Sequence, residues 1–269
     1  MGLKALIAGL VVTVGFGGIA TAHEFWIDPH GYQVAEGDPI VADLRVGQDF
    51  QGSVYAYIPA NFTRFELVQG DAVAPVEGRA GDRPALNMAA PGDGLAVVVH
   101  VTKDYLLTYS EREKFVNFVT HKDFAWALDQ HAARGLPEVG FRERYSRHAK
   151  ALIDVGTGAG QDRVVGLETE ILALANPYTD DLSAGFPVQV FYQGQVRADV
   201  QVEVFDKAPN GDVTISQYRT DADGKALVPV MAGHSYLVDS VVMRPVDPMG
   251  DDLAVWESLW ASVTFAVPQ

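Results

Sequence analysis

Residues 94–101 read Gly-Leu-Ala-Val-Val-Val-His-Val, a short run of mostly β-branched residues that is typical of a strand. The turn-forming residues Pro91-Gly92-Asp93 precede this run. Similar runs, at the same kind of spacing and separated by Gly, Pro, Asp and Asn, occupy residues 32–34, 39–47 and 64–68. Short strands at such intervals predict an antiparallel β-sandwich over residues 23–109.

The pattern then changes to a helical period. Ser110-Glu111-Arg112-Glu113 has the form of a capping box and predicts that a first helix begins there. Asp123 can cap a second helix, which Gly135-Leu136-Pro137 would end. Apolar residues at three- and four-residue spacings predict a third helix over Phe141–Val155. These three helices form a predicted helical insertion, residues 110–156.

The composition returns to β-forming residues after a flexible connection at residues 156–162. The candidate strands of this part share β-branched or alternating patterns and lie at 169–174, 186–192, 199–205, 226–230, 236–243 and 260–267. They predict an immunoglobulin-like sandwich over residues 163–269. The predicted fold class is therefore mainly β, with two immunoglobulin-like β-sandwich domains and a helical insertion of about three helices between them.

Composition limits the chemistry that is available. Cysteine is absent from the 269 residues, so a metal site must use His, carboxylate, Met or the amino terminus. The formal net charge is −15, which repels nucleic acid and raises the local concentration of cations. An acidic surface that only keeps the protein soluble explains the charge equally well.

Residues 1–22 have the pattern of a signal peptide. Lys4 precedes the uncharged apolar segment 5–20, and the small residues Ala20 and Ala22 frame a cleavage site. No later apolar run approaches the roughly 20 residues that span a bilayer. We therefore expect a periplasmic protein without a transmembrane segment in its mature chain.

Cleavage after Ala22 would make His23 the first residue of the mature chain. Its α-amino group and imidazole can close a chelate ring on a metal ion. His100 interrupts an apolar strand and is the best candidate for a second ligand, while Glu24 could add a carboxylate oxygen or orient the imidazole. Such donors suit nickel, cobalt, copper or zinc. The alternatives are a chance first residue and a His100 that faces solvent or is hydrogen-bonded in the core.

Motifs of enzymes do not occur. The chain has no HExxH, GxSxG or SxxK pattern, so we do not expect an enzyme. Asp221 and Asp223 are best explained by a β-turn, with weak calcium binding as the alternative. His131 has the spacing of an ordinary core residue. Trp26, Trp126, Trp256 and Trp260 could stack on sugars, but large aromatics in a sandwich are usually core.

Several segments together resemble a known family. They span most of the mature chain and are 22–29, 109–115, 143–152, 176–178, 220–224 and 257–265. They are similar to a bacterial periplasmic domain-of-unknown-function family described as the periplasmic component of nickel and cobalt uptake. The resemblance implies an N-terminal His, here His23, and β-sandwich domains with a helical insertion. Relatives carry His-Met where this chain has Val242-Met243, so a site that uses that histidine is built differently here.

The leading prediction is a periplasmic binding protein that captures a divalent transition-metal ion, nickel, cobalt or copper, for uptake or delivery to a membrane metal transporter. The alternative is a non-enzymatic adhesion or interaction module that binds protein or carbohydrate without metal. An exposed row of aromatic side chains would favour the alternative.

Overall fold

The computed structural model describes residues 23–269, so the predicted signal peptide lies outside the described residues. The strands before the helices are β1 (Glu24–Pro29), β2 (Gln33–Val34), β3 (Pro39–Gln48), β4 (Gln51–Tyr55), β5 (Phe62–Gln69), β6 (Ala72–Pro75), β7 (Leu86–Ala89), β8 (Gly94–Thr102) and β9 (Tyr105–Tyr109). A single 3-10 turn, Pro59–Asn61, lies between β4 and β5.

Two helices and nine further strands complete the described chain. The helices are α1 (Arg112–His121) and α2 (Trp126–Ala133). The strands are β10 (Phe141–Val155), β11 (Thr169–Ala173), β12 (Phe186–Tyr192), β13 (Gln195–Val196), β14 (Gln201–Lys207), β15 (Val213–Arg219), β16 (Lys225–Val228), β17 (Ser235–Pro245) and β18 (Ala254–Ala266). The mainly β class is confirmed, while the immunoglobulin-like form of the sandwiches stays a prediction.

The predicted third helix is wrong, because Phe141–Val155 forms the strand β10. Its first part pairs with β9 and its last part with β8, and β18 runs parallel to it over residues 142–151. The later part of β10 has apolar residues on both faces, Leu152 on one and Ala149 on the other, so their spacing does not distinguish a buried strand from a helix. The predicted helical insertion of residues 110–156 thus contains two helices in the structure.

The predicted helix starts also differ. Glu111, not Ser110, is the N-cap of α1, and no side chain caps that end. Ala125 is the N-cap of α2, and Asp123 has a left-handed backbone with φ of 65°. Packing of the apolar face is therefore what holds these short helices. Phe115, together with other residues of the helical block, packs against Trp256 and Trp260.

The strands form three sheets. A ten-stranded sheet has the order β15-β14-β17-β18-β10-β8-β5-β6, and β2 and β9 also pair with β10. One four-stranded sheet consists of β1, β3, β4 and β7, and the other of β11, β12, β13 and β16. Strands of both predicted sandwiches thus share the ten-stranded sheet.

Strand β8 shows how the sheets are layered. Val97 and Val99 point into the core that the ten-stranded sheet shares with β11 and β12. Ala96 and Val98 point into the core that it shares with β1 and β3. Because side chains alternate along a strand, His100 lies on the side of β1. The ten-stranded sheet therefore forms a middle layer and carries His100 towards the N-terminal strand.

In the described residues 23–269, no helix has the length and apolar character needed to cross a membrane.

Candidate functional site

Side chains alternate between the two faces of β1, and this alternation separates the predicted ligands Glu24 and His100. Phe25 points into the core on the side of His100, and the two rings lie 5.0 Å apart. Trp26 packs on the opposite face against Phe50. Glu24 also lies on this opposite face, where its carboxylate is buried. Glu24 and His100 therefore belong to two different sites.

The first site is a cleft of about 160 Å³ beside the start of β1. The residues that give it its chemistry are Phe25, Tyr55, His100, Tyr105, Tyr145 and Arg147. Tyr55 is 48% exposed at the mouth, whereas His100 is 2% exposed at the base. Tyr105 and Tyr145 stack with their ring centroids 5.5 Å apart. We call this feature the N-terminal cleft.

His100 lies in an aromatic cage. Its ring centroid is 5.4 Å from that of Phe62 and 5.0 Å from that of Phe65. Its Nδ1 is buried and has no hydrogen-bond partner among the described residues. A buried polar atom without a partner is costly and calls for an explanation. The two alternative interpretations of the sequence were a His100 that faces solvent and a His100 that is hydrogen-bonded in the core. The structure shows a buried His100 whose Nδ1 has no hydrogen-bond partner among the described residues.

The environment of His100 keeps its imidazole neutral. Burial, assisted by the positive charge of Arg147, lowers the pKa of His100 from its usual 6.5 to about 3. A neutral imidazole is the form that binds a metal ion. At neutral pH His100 therefore does not have to lose a proton before it can bind a metal ion.

Arg147 connects this cleft to His23. The guanidinium Nη2 donates a hydrogen bond to the main-chain carbonyl of His23 at 3.2 Å. The same guanidinium lies 4.9 Å from the ring centroid of Tyr145 and 5.8 Å from that of Phe25. The structure therefore places the main chain of His23 against Arg147, which lines the same cleft as His100.

Glu24 belongs to the second site, a buried charge cluster around the Lys122 ammonium. Lys122 Nζ lies 3.2 Å from Glu24 Oε1, 2.5 Å from Glu203 Oε2 and 3.0 Å from Asp239 Oδ2. His121 Nε2 lies 2.8 Å from the second oxygen of Glu203. All three carboxylates are less than 9% exposed. We call these five residues the Lys122 cluster.

The Lys122 cluster favours the charged forms of Lys122 and Glu203, whereas burial raises the pKa of Asp239 from its usual 3.8 to about 7. Burial opposes the charge of Lys122, but Asp239, Glu24 and Glu203 outweigh it and raise the pKa of Lys122 above its usual value. Burial likewise opposes the charge of Glu203, yet His121 and Lys122 lower the pKa of Glu203 to about 2. An ammonium already fills the position between the carboxylates. The cluster therefore ties β1, β14 and β17 to the end of α1.

Metal binding by side chains alone receives no support from the described residues. Over residues 23–269, no three or more His, Cys, Asp or Glu side chains converge so that they could hold a metal ion. A site made of one amino group and two imidazoles needs only two residues. The sequence predicts His23, with its amino group freed by cleavage, and His100 as the source of these three nitrogens.

Several other sequence predictions can be compared with the structure. The Asp221 side chain accepts hydrogen bonds from the main-chain N–H groups of Asp223 and Lys225, which confirms the turn. His131 is a hydrogen-bonded core residue, as predicted, with bonds to Trp256 and to the carbonyl of Pro137. Asp221 and His131 therefore have structural roles, the first in a turn and the second in the core.

The tryptophans and the Val242 position do not extend the N-terminal cleft. Trp26, Trp256 and Trp260 are all buried, with exposures of 1%, 0% and 4%. Val242 lines another cleft, together with Trp126. These three tryptophans therefore form no exposed row, while Trp126 is 45% exposed.

Glu143 is a buried carboxyl that the sequence did not single out. It accepts hydrogen bonds from Tyr109 at 2.6 Å and from Ser258, and it is 1% exposed. Burial raises the pKa of Glu143 from its usual 4.5 to about 7, although these two hydrogen bonds oppose the rise. Glu143 has no ion-pair partner among the described residues, unlike Glu24.

We expect Glu143→Gln to remove part of the pH dependence of stability. Because the folded-state pKa of Glu143 lies above that of the unfolded chain, the wild type should lose stability as the pH rises through this interval. The difference in free energy of unfolding between variant and wild type should shift in favour of the variant by about 2–3 kcal/mol between pH 5 and pH 8. Urea unfolding at both pH values measures it, and parallel pH profiles would contradict it.

The fold and the two sites define a mainly β protein in which small sheets cover a larger middle sheet. The chain belongs to the family described as Domain of unknown function (DUF4198), whose model matches residues 20–244. A search of the curated proteins finds no match.

Proposed function

We propose that the protein captures a divalent transition-metal ion in the periplasm, with the amino and imidazole nitrogens of His23 and the imidazole of His100. The observation that carries the proposal is the neutral, buried His100, whose Nδ1 has no partner, in the cleft that adjoins His23 through Arg147. The α-amino group becomes available only if the chain is cleaved after Ala22. We leave Glu24 out of the ligand set because Lys122 holds its carboxylate.

The donor atoms bear on the identity of the metal. Nitrogen ligands suit copper, nickel and cobalt, and the general order of affinity favours copper. The resemblance to a family described as part of nickel and cobalt uptake supports these two ions instead. The net charge of −15 favours the approach of any cation. In this proposal the ion passes to a membrane metal transporter, and the protein catalyses no reaction.

The burial of Trp26, Trp256 and Trp260 weakens the adhesion-module alternative, which an exposed row of aromatic side chains would have favoured. Metal capture is therefore the function that the described residues favour.

Substitution of His23 tests the proposal. We expect His23→Ala to weaken the binding of nickel, cobalt or copper at least tenfold, or about 1.4 kcal/mol, because both side-chain ligation and the chelate ring are lost. His100→Phe should have a similar effect while it keeps the aromatic packing of the cage. Calorimetric titration of the metal-free mature protein with each ion provides the measurement.

His30→Ala is the matched control. His30 lies just beyond the other end of β1, and its side chain is 51% exposed and 3.2 Å from Asp43. This variant should bind metal like the wild type. Equal affinity of His23→Ala and wild type would refute the proposal, and so would mass spectrometry that shows a mature chain starting at another residue.

A further inference from the structure

The N-terminal cleft holds the positive charge of Arg147, which forms no ion pair with a carboxylate among the described residues. Arg147 Nη2 bonds to a carbonyl oxygen, and the buried Nε has no hydrogen-bond partner among the described residues. In the same part of the chain, no Asp or Glu lies within the 4.0 Å of an ion pair with Arg147. Arginine normally keeps its charge in proteins. The cleft therefore presents a guanidinium with unused donor capacity.

A bare metal ion would make this imbalance worse. An amino group and two imidazoles are neutral ligands, so a divalent ion bound by them keeps its full charge of +2 next to Arg147. Uncompensated charge in a partly buried site is costly. Three nitrogen ligands also leave at least one coordination position of copper, nickel or cobalt open. An anion that binds both the metal and Arg147 would correct both deficits.

The shape and lining of the N-terminal cleft select the kind of anion. Its volume of about 160 Å³ is small beside the roughly 300 Å³ of sites for drug-sized ligands. Tyr55, Tyr105 and Tyr145 provide flat apolar surfaces and hydroxyl groups around the guanidinium. Arginine pairs with carboxylate through two parallel hydrogen bonds. A short organic acid fits these features.

We infer that the protein takes up its metal as a complex with a small chelating carboxylate, which Arg147 recognises in the N-terminal cleft. One oxygen of the acid binds the metal and another accepts hydrogen bonds from the guanidinium. The acid is a dicarboxylate or hydroxy acid of a few carbons. This inference rests on the proposed function, but its anion half can be measured without any metal.

Malonate serves as the probe for the anion half. Calorimetric titration of the metal-free mature protein with malonate should show binding that Arg147→Gln weakens at least tenfold. The uncharged malonamide should not bind. Arg142→Gln, on the same strand but bonded to the carbonyls of Asp251 and Asp252, is the matched control and should bind malonate like the wild type. Equal malonate affinity of Arg147→Gln and wild type would overturn the inference.

A second measurement keeps the test valid if Arg147→Gln does not fold. In the wild-type protein, the ¹⁵N–¹H signal of the Arg147 Nε–H group should shift on addition of malonate. The signal of Arg142 should not move. A signal of Arg147 that stays unchanged at saturating malonate would overturn the inference.

Coupling between metal and acid tests the complex itself. Protein loaded with one equivalent of copper or nickel should bind malonate at least tenfold more tightly than metal-free protein, and the acid should raise metal affinity by the same factor. Equal malonate affinity with and without metal, or release of the metal on malonate addition, would overturn the inference. If His23→Ala binds metal like the wild type, metal capture fails instead, and the metal-free malonate titration still reports on Arg147.

Discussion

Replacement of Lys122 with Met should destabilise the protein by about 5 kcal/mol, because a buried ion pair that loses one partner leaves uncompensated charge. In this case the carboxylates of Glu24, Glu203 and Asp239 would remain together without the ammonium, and His121 would be left as a partner of Glu203 alone. Methionine keeps most of the length of the side chain, so the loss is mainly electrostatic. Urea unfolding at pH 7 measures the change in free energy of unfolding.

The pH dependence of Lys122→Met provides a second readout. Without the ammonium, burial and mutual repulsion raise the folded-state pKa values of the three carboxyl groups above those of the unfolded chain. The variant should therefore regain stability as the pH falls towards 4, because protonation removes the repulsion. Lys114→Met is the control, since Lys114 pairs with Glu111, whose side chain is 62% exposed. That control should change stability by less than about 0.5 kcal/mol. A loss below about 1 kcal/mol in Lys122→Met would contradict the account.

The second large effect is expected at Lys150, which lies in β10 and is 1% exposed. Its Nζ bonds to Asp162 at 2.7 Å, to Glu170 at 3.3 Å and to the carbonyl of Arg163 at 3.2 Å. These contacts fasten the middle sheet to the segment that leads into β11. Lys150→Met should cost about 4 kcal/mol in the free energy of unfolding, again through buried unpaired carboxylates.

The loss at Lys150 should be smaller than that at Lys122 because Glu170 has other donors. The main-chain N–H groups of Val165, Gly166 and Leu167 all bond to its carboxylate. Lys225→Met is the control, since Lys225 is exposed and its Nζ is 3.8 Å from Asp223. Chemical unfolding of both variants gives the comparison. If Lys150→Met is as stable as its control, the pairing at Lys150 carries no net stability.

The strands were easier to predict than the helices. Residues 94–101 carry a β-branched run between turn residues, and this local pattern is enough to identify β8. Phe141–Val155 carries apolar residues on both faces because sheets cover β10 from both sides. Its period therefore does not distinguish a buried strand from a helix. Its pairing partners β8, β9 and β18 resolve the ambiguity only in the folded chain.

The candidate site was only partly accessible from the sequence. His100 stood out because a polar residue interrupts an apolar strand, and the structure places it in a cleft with Arg147. Arg147 itself lies among other basic residues at 142–150, so its position in the sequence did not distinguish it. Lys122 gave no signal, because its partners lie 81 to 117 residues away along the chain. The short motif 121–123 looks like an ordinary charged turn between helices.

The sequence by itself determined the mainly β class, most of the strands, the family and the candidate ligands His23 and His100. These follow from local alternation, turn residues and residue chemistry, which neighbouring positions encode. Only the tertiary structure decided that Glu24 faces Lys122 while His100 faces the N-terminal cleft. The physical reason is that adjacent residues of a strand point to opposite faces, and what covers each face comes from distant parts of the chain.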